Sequence, residues 1–314
     1  MQTSASQGKA SYENTCSVFL DIELVFYYNR WHMAALFDRL KTGIPGLANG
    51  FTQHSTTPLA LDKAARLARS GASTYTSISL DALVEEVGPL TQGSVLVGAC
   101  DDRLHFYMDL LDPRPGSVLI VGERDAGQSR LLQSILTSAC LLNSHRMLRF
   151  AYVSDTLTKN ISLTRQPHCF RRMVNNSPGV GEVITQLADL AEKRIRPGQA
   201  ETLTILAIEG LDTLCNALDD KAYDDLAWLI QNGPSLHIWP FVTLNVGREQ
   251  VVGEEFLHLF GTRFLGHMDA KHTAIYQGDL TITSRLVAKK QFCVWFDDEW
   301  LSFWIPDAGG SLRS

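Results

Sequence analysis

The spacing of apolar positions changes near residue 90, and the change divides the chain. Before it, residues 16–40 are rich in Leu, Phe, Tyr and Trp at mixed spacings, which fits a buried helix or a strand followed by a helix. A stretch of Gly, Pro, Ser and Thr over 42–58 interrupts this run. The spacing then predicts a helix over 59–70 and a shorter one over 77–87 with Ser79 as its cap. We take residues 1–90 as an N-terminal extension and 91–314 as the main domain. The apolar residues of the extension, Phe19, Phe26 and Trp31 among them, either fold back onto that domain or dock on another protein.

After residue 90, short apolar runs of β type alternate with helical segments. The runs are 94–99, 104–110, 117–121, 148–153, 203–208, 238–244, 262–267, 292–296 and 301–305. This alternation predicts an α/β fold, a mostly parallel sheet with crossover helices. Over 129–142 the helical spacing puts Leu131, Leu132, Ile135, Leu136, Ala139 and Cys140 on one face, and 183–194 repeats the pattern. The last two runs flank Asp297-Asp298, as a terminal β-hairpin would, and they carry Phe292, Trp295, Phe296, Trp300, Phe303 and Trp304.

Composition narrows the function classes. With 314 residues, 45% hydrophobic and 20% charged, the chain can bury a large core without metals or disulfides. The six cysteines lie far apart, mostly in apolar runs, with no CxxC pair, and read as buried thiols in a reducing compartment. No N-terminal run resembles a leader or a membrane span, so the expected location is the cytoplasm. A net charge of -6 does not suit a protein whose main task is neutralising phosphates. The densest basic cluster, Arg165, His168, Arg171 and Arg172 around Phe170, reads first as a solvated loop and second as a phosphate contact. His168-Cys169 lacks further ligands nearby, and no Gly-x-Ser-x-Gly elbow occurs, so metal and serine hydrolase chemistry find no support.

One constellation carries chemistry. The buried run Val118-Leu119-Ile120-Val121 leads through Gly122-Glu123-Arg124-Asp125-Ala126-Gly127-Gln128-Ser129 directly into the helix predicted over 129–142. A strand, a loop with glycines at this spacing and a helix form the setting of the GxxxxGK[ST] phosphate loop. The glycines let the backbone wrap so that N–H groups and the helix N-terminus face phosphate oxygens, and Ser129 falls at the magnesium position. The lysine position holds Gln128, which is neutral and shorter, and Glu123 and Asp125 add negative charge. The run 203–208 ends in Glu209-Gly210. Glu209 stands where an acid orders magnesium water, and Gly210 where a water-activating carboxylate is expected, with Asp212 two residues on.

In their order these residues resemble the FtsK/HerA-type branch of P-loop ATPases over residues 90–305. Val95-Leu96-Val97-Gly98 and the run 104–110 look like the strand pair before that family's phosphate loop. Residues 229–234 followed by 238–245 are similar to its helix, small turn and sensor strand, with Asn245 at the γ-phosphate sensor position. Thr262-Arg263-Phe264-Leu265-Gly266 resembles the late strand whose arginine lies near a neighbouring subunit, although a surface strand arginine is the plainer reading of Arg263. The resemblance implies a RecA-like sheet, ATP or ADP with Mg as ligand, and protein partners or further copies of the chain. DNA remains open as a partner. The departures at Gln128, Glu209 and Gly210 resemble degenerate members with weak or absent hydrolysis. Two alternatives stand beside this reading. One is an active DNA-translocating motor in which Arg124 or Arg130 replaces the lysine, and the other is a nucleotide-free interaction scaffold.

Overall fold

The computed structural model describes residues 59–60, 78–88, 90–101, 104–156, 161–195 and 202–309. The expectations for 16–40, for 42–58 and for 61–70 lie outside these residues. Among the described residues the first elements in chain order are β1 (Leu59–Ala60), α1 (Leu80–Val87), β2 (Ser94–Cys100), β3 (His105–Asp109), β4 (Val118–Gly122) and α2 (Gln128–Leu142). They are followed by β5 (Leu148–Ser154), α3 (Ile161–Thr164), β6 (Cys169–Val174), α4 (Val180–Arg194), β7 (Leu203–Ile208), α5 (Leu211–Cys215) and α6 (Asp220–Asn232). The rest are β8 (Ile238–Asn245), α7 (Glu249–Val252), α8 (Glu254–Leu257), β9 (Thr262–Leu265), α9 (Ala270–Ile275), α10 (Leu280–Thr283), β10 (Gln291–Phe296) and β11 (Glu299–Trp304).

All the described strands join one sheet in the order β1-β3-β2-β11-β10-β9-β4-β8-β7-β5-β6. From β9 to β6 the neighbours run parallel, and from β1 to β9 they run antiparallel. The parallel half explains the continuous apolar runs in the sequence. β4 and β7 are buried at every residue and β8 at all but its last, because helices cover both faces. One face is packed by α2 through Leu131, Leu132, Ile135, Leu136 and Ala139. The other is packed by α4 and α6 through Val183, Ile184, Leu187, Leu226, Leu229 and Ile230. Burying each of these Leu, Ile and Val side chains contributes about 1.5–3 kcal/mol.

Two expectations are corrected. Leu59–Ala60 is not helical but pairs antiparallel with β3 through Met108 and Tyr107. The cluster around Arg171 and Arg172 is not a loop but β6, the outer strand beside β5. Its residues are half-buried or exposed, and an edge strand with charged residues in succession looks like loop in a sequence. Ser79 does precede α1, but its side chain makes no capping bond, and Leu80 N–H instead donates to Asp307 O at 3.0 Å. Residues from Thr56 onward form one compact unit, in which Leu80 and Leu83 of α1 pack with Leu96, Ala99 and Trp304.

β10 and β11 form the terminal hairpin, turning through Asp297 (φ 49°) and Asp298 (φ 63°), the two left-handed positions that a tight two-residue turn requires. β11 meets β2 only at Phe303↔Cys100 and Trp304↔Ala99, which leaves Leu96 of β2 without a strand partner on that side. Ser138 of α2 takes that place: its Oγ accepts from Leu96 N–H at 3.0 Å and donates to Leu96 O at 2.9 Å.

Candidate functional site

The parallel half places the C-terminal ends of β4, β8 and β7 side by side, with β8 in the middle. Gly122 ends β4, and the chain reverses through Asp125 (φ 66°) and Gly127 (φ 108°) into α2. Gly127 needs its missing side chain twice over. Its φ is one that L residues rarely adopt, and a Cβ there would lie 3.0 Å from the Lys289 backbone. Further bonds hold the loop in shape: Ala126 N–H to Glu123 O at 2.9 Å, Lys289 N–H to Ala126 O at 2.8 Å, and Glu123 N–H to His267 O at 3.1 Å. The first turn of α2 then presents unpaired amides at the loop, as the start of any helix does.

Gln128, at the lysine position, is 6% exposed and folds back into the loop. Its Nε2 donates to Gly122 O at 2.7 Å, to Glu123 O at 3.0 Å and to Asn245 Oδ1 at 3.2 Å. The side chain therefore braces the loop and ties it to the end of β8, where Asn245 is in register with Gly122. It brings no charge. Arg124 and Asp125 are exposed, and Glu123 reaches His267 at 3.4 Å. Arg130 faces Asp307 at 3.5 Å and Lys289 O at 3.4 Å, so neither expected substitute cation is held over the loop by a bond to it. Ser129 is the second residue of α2 and is half-buried.

Glu209 follows β7 and is 6% exposed. Tyr152 of β5 donates its hydroxyl to Glu209 Oε2 at 2.6 Å, while Oε1 is buried with no partner among the described residues. Asn175, at the end of β6, donates to Glu209 O at 2.8 Å and to Asp155 Oδ1 at 2.8 Å, and its own Oδ1 is likewise buried and unpartnered. Gly210 N–H donates to Thr243 Oγ1 of β8 at 3.0 Å. Asp212 pairs with Arg248 at 3.7 Å. Sequence reading missed Tyr152, Asn175 and Thr243. Each lies in or just after an ordinary strand, and only the lateral strand order brings them to the acid.

Burial pushes Cys140, Cys215 and Cys293 up to about 12 and Cys169 up to about 11, so all four are neutral thiols at pH 7.

No family profile matches this sequence, and no curated protein matches it. Solved structures do. EssC from Geobacillus thermodenitrificans, over its ATPases 2 and 3, aligns with a TM-score of 0.62 at 14% identity, covering 76% of this chain and 48% of that one. EccC from Thermomonospora curvata, over ATPases 2 and 3 in complex with a signal sequence peptide, gives 0.57 at 16% identity, covering 79% and 49%. The pCW3 conjugation coupling protein TcpA with ATPγS gives 0.57 at 16% identity, covering 75% and 71%. The fold is that of the FtsK/HerA-type P-loop ATPases. At these identities the likeness concerns the fold alone, and the chain spans about half the length of the EssC and EccC structures. In this sheet β8 lies between β4, which ends at Gly122, and β7, which Glu209 follows. Among the described residues no helix is long and apolar enough to cross a membrane.

Proposed function

We propose that this chain is a degenerate FtsK/HerA-like P-loop domain: a phosphate-binding subunit, without effective hydrolysis, of a larger translocation, secretion or defence assembly. The observation that carries the reading is Gln128, whose amide is bonded to the loop's own carbonyls where a lysine would offer charge to the outer phosphates. Gly210 supplies no carboxylate to activate water, and the oxygen of Glu209 on Tyr152 is already engaged. What supports binding is the preserved cradle, with left-handed turns at Asp125 and Gly127 leading into the α2 N-terminus.

The residues that would hold a nucleotide are Gly122 to Ser129 with Asn245. Ser129 and the unpartnered Oε1 of Glu209 are suited to a magnesium ion and its water. Magnesium would supply positive charge that the loop itself lacks. The fit is therefore good for the phosphate oxygens and poor for their charge, which favours weak binding. Structural likeness to a type VII secretion ATPase and a conjugation coupling protein supports work within an assembly of protein partners or copies of the chain. The net charge of -6 argues against DNA as the principal ligand.

The test is thermal unfolding with and without magnesium-ATP or ADP, together with phosphate release, on wild type and Gln128→Lys. A ligand at a hundredfold excess over its dissociation constant adds about 2.7 kcal/mol of stability. The expected result is a saturable upward shift in wild type, a larger one in Gln128→Lys, and no phosphate release above buffer in wild type. Turnover by wild type would overturn the reading in favour of an active motor. A shift in Gln128→Lys alone would mean a scaffold that has lost its ligand.

A further inference from the structure

A groove of about 530 Å³ lies away from the phosphate loop, lined by Phe260, Arg263, Tyr276, Gln277, Trp295 and Trp300. Its position follows from strand register. Arg263 of β9 is in register with Leu119 of β4, towards the opposite end of the strand from Gly122. Cys293 pairs with Leu265, so two residues further along these antiparallel strands Trp295 comes beside Arg263, and Trp300 is the direct partner of Trp295. The three side chains form a row across β9, β10 and β11.

Arg263 is the polar centre of this groove, and its bonds are poor. Nη1 donates to Gln277 Oε1 at 3.4 Å and Nη2 to Leu257 O at 3.3 Å, both at the long end of the hydrogen-bond range. Among the described residues no carboxylate pairs with it. Glu249, which the Tyr276 hydroxyl contacts at 3.0 Å, also accepts from Gly247 N–H at 2.9 Å. Burial draws the guanidinium below its ordinary pKa, the mark of a cation partly stripped of water without an anion to replace it. Above it the indoles of Trp295 and Trp300 meet edge to face at 5.5 Å, and Trp295 is left 53% exposed.

A planar guanidinium short of acceptors is matched by a carboxylate, which it can grip through two parallel bonds. Exposed indoles beside it are matched by apolar atoms next to that carboxylate. Trp295, more than half exposed, leaves one wall open, whereas small-molecule sites enclose most of their ligand. A segment of chain can run past such a wall.

We propose that this groove is a docking site for an acidic side chain of a partner polypeptide, its carboxylate held by Arg263 and its flanking apolar residues resting on Trp295 and Trp300. The site does not depend on the nucleotide reading.

The test uses the full chain and two labelled, end-capped peptides, Ser-Leu-Glu-Leu-Ser-Gly and the same peptide with Gln for Glu, followed by fluorescence anisotropy. Wild type should bind the Glu peptide saturably, more weakly as salt rises, and at least about tenfold more tightly than the Gln peptide. Arg263→Gln should abolish that preference, and Trp295→Ala should weaken both peptides. Should Arg263→Gln fail to fold, Arg263→Lys keeps the charge but not the fork and should lose about tenfold. Equal binding of the two peptides, no binding up to millimolar concentration, or unchanged preference in the Arg263 variants would overturn the proposal. So would displacement of the Glu peptide by free indole-3-acetate at lower concentration than by unlabelled Glu peptide, which would assign the groove to a small carboxylate.

Discussion

Truncating Gln128 to alanine measures how much of the loop's shape depends on one amide. Three bonds would vanish, but the structure limits their worth. Gly122 O also accepts from Val246 N–H at 3.0 Å, and Glu123 O from Ala126 N–H at 2.9 Å, so neither carbonyl is stranded. Asn245 is exposed, and water can replace its lost donor. The loss is then the net value of a bonded amide, about 1 kcal/mol, and not the larger penalty of an orphaned buried group. Removing one buried methylene costs about 0.8 kcal/mol more. The expected total is about 2 kcal/mol in urea unfolding, or roughly 4–8 °C in Tm for a unit of this size. Gln128→Lys keeps N–H donors at the same place and should lose less than about 1 kcal/mol. A loss above about 4 kcal/mol in Gln128→Ala would refute the claim that the carbonyls are independently satisfied. Equal losses for the two variants would refute the bracing role of the side-chain donors.

Two further predictions probe the acid and the sheet. Tyr152→Phe removes the donor to Glu209 Oε2 and leaves both carboxylate oxygens buried without one, so it should destabilise by about 2–3 kcal/mol at pH 7. In a double-mutant cycle with Glu209→Gln the coupling should be at least about 1 kcal/mol, and an additive result would place the hydroxyl's importance elsewhere. Gly98→Ala would drive a methyl group into the Trp304 carbonyl oxygen and within 2.8 Å of the Phe303 ring, where β2 bulges beside β11. It should cost more than about 2 kcal/mol by urea titration or leave the chain insoluble, and a change below about 0.5 kcal/mol would mean that the two strands separate freely there.

What was legible in the sequence is what depends on local burial. β4, β7 and β8 announce themselves because both faces are covered, so no polar residue interrupts the run. The Asp297-Asp298 turn is legible because its chemistry is local. β6 was not, since Arg171 and Arg172 sit on an edge where solvent tolerates charge. β1 is only two residues long, and its pairing with β3 outweighs the helical spacing in which it sits. At the site, spacing alone picked out Gly122, Gly127, Gln128 and Glu209. It could not reveal that Gln128 turns inward, nor that Tyr152 meets Glu209, because both facts depend on which strands are neighbours. The groove at Arg263 was invisible for the same reason, being assembled from β9 and a hairpin that follows it after two short helices.

That hairpin has a consequence for the order in which the sheet can be built. β10 and β11 follow the other described strands in sequence yet lie between β9 and β2, so among the described residues they are the strands that connect the early β2–β3 pair to the parallel strands. During synthesis, therefore, β9 and β2 each wait with an open edge until residues 291–304 have left the ribosome. Over that interval α2 is the element that holds β2 in place, through Ser138 on Leu96 and Asn143 on Gly93 and Ser94. A nascent chain halted short of the hairpin would hold its sheet in two pieces, joined by α2 and by the bond of Trp239 Nε1 to Leu110 O, and exposed to edge pairing with other chains. Adding residues 291–304 closes both edges at once.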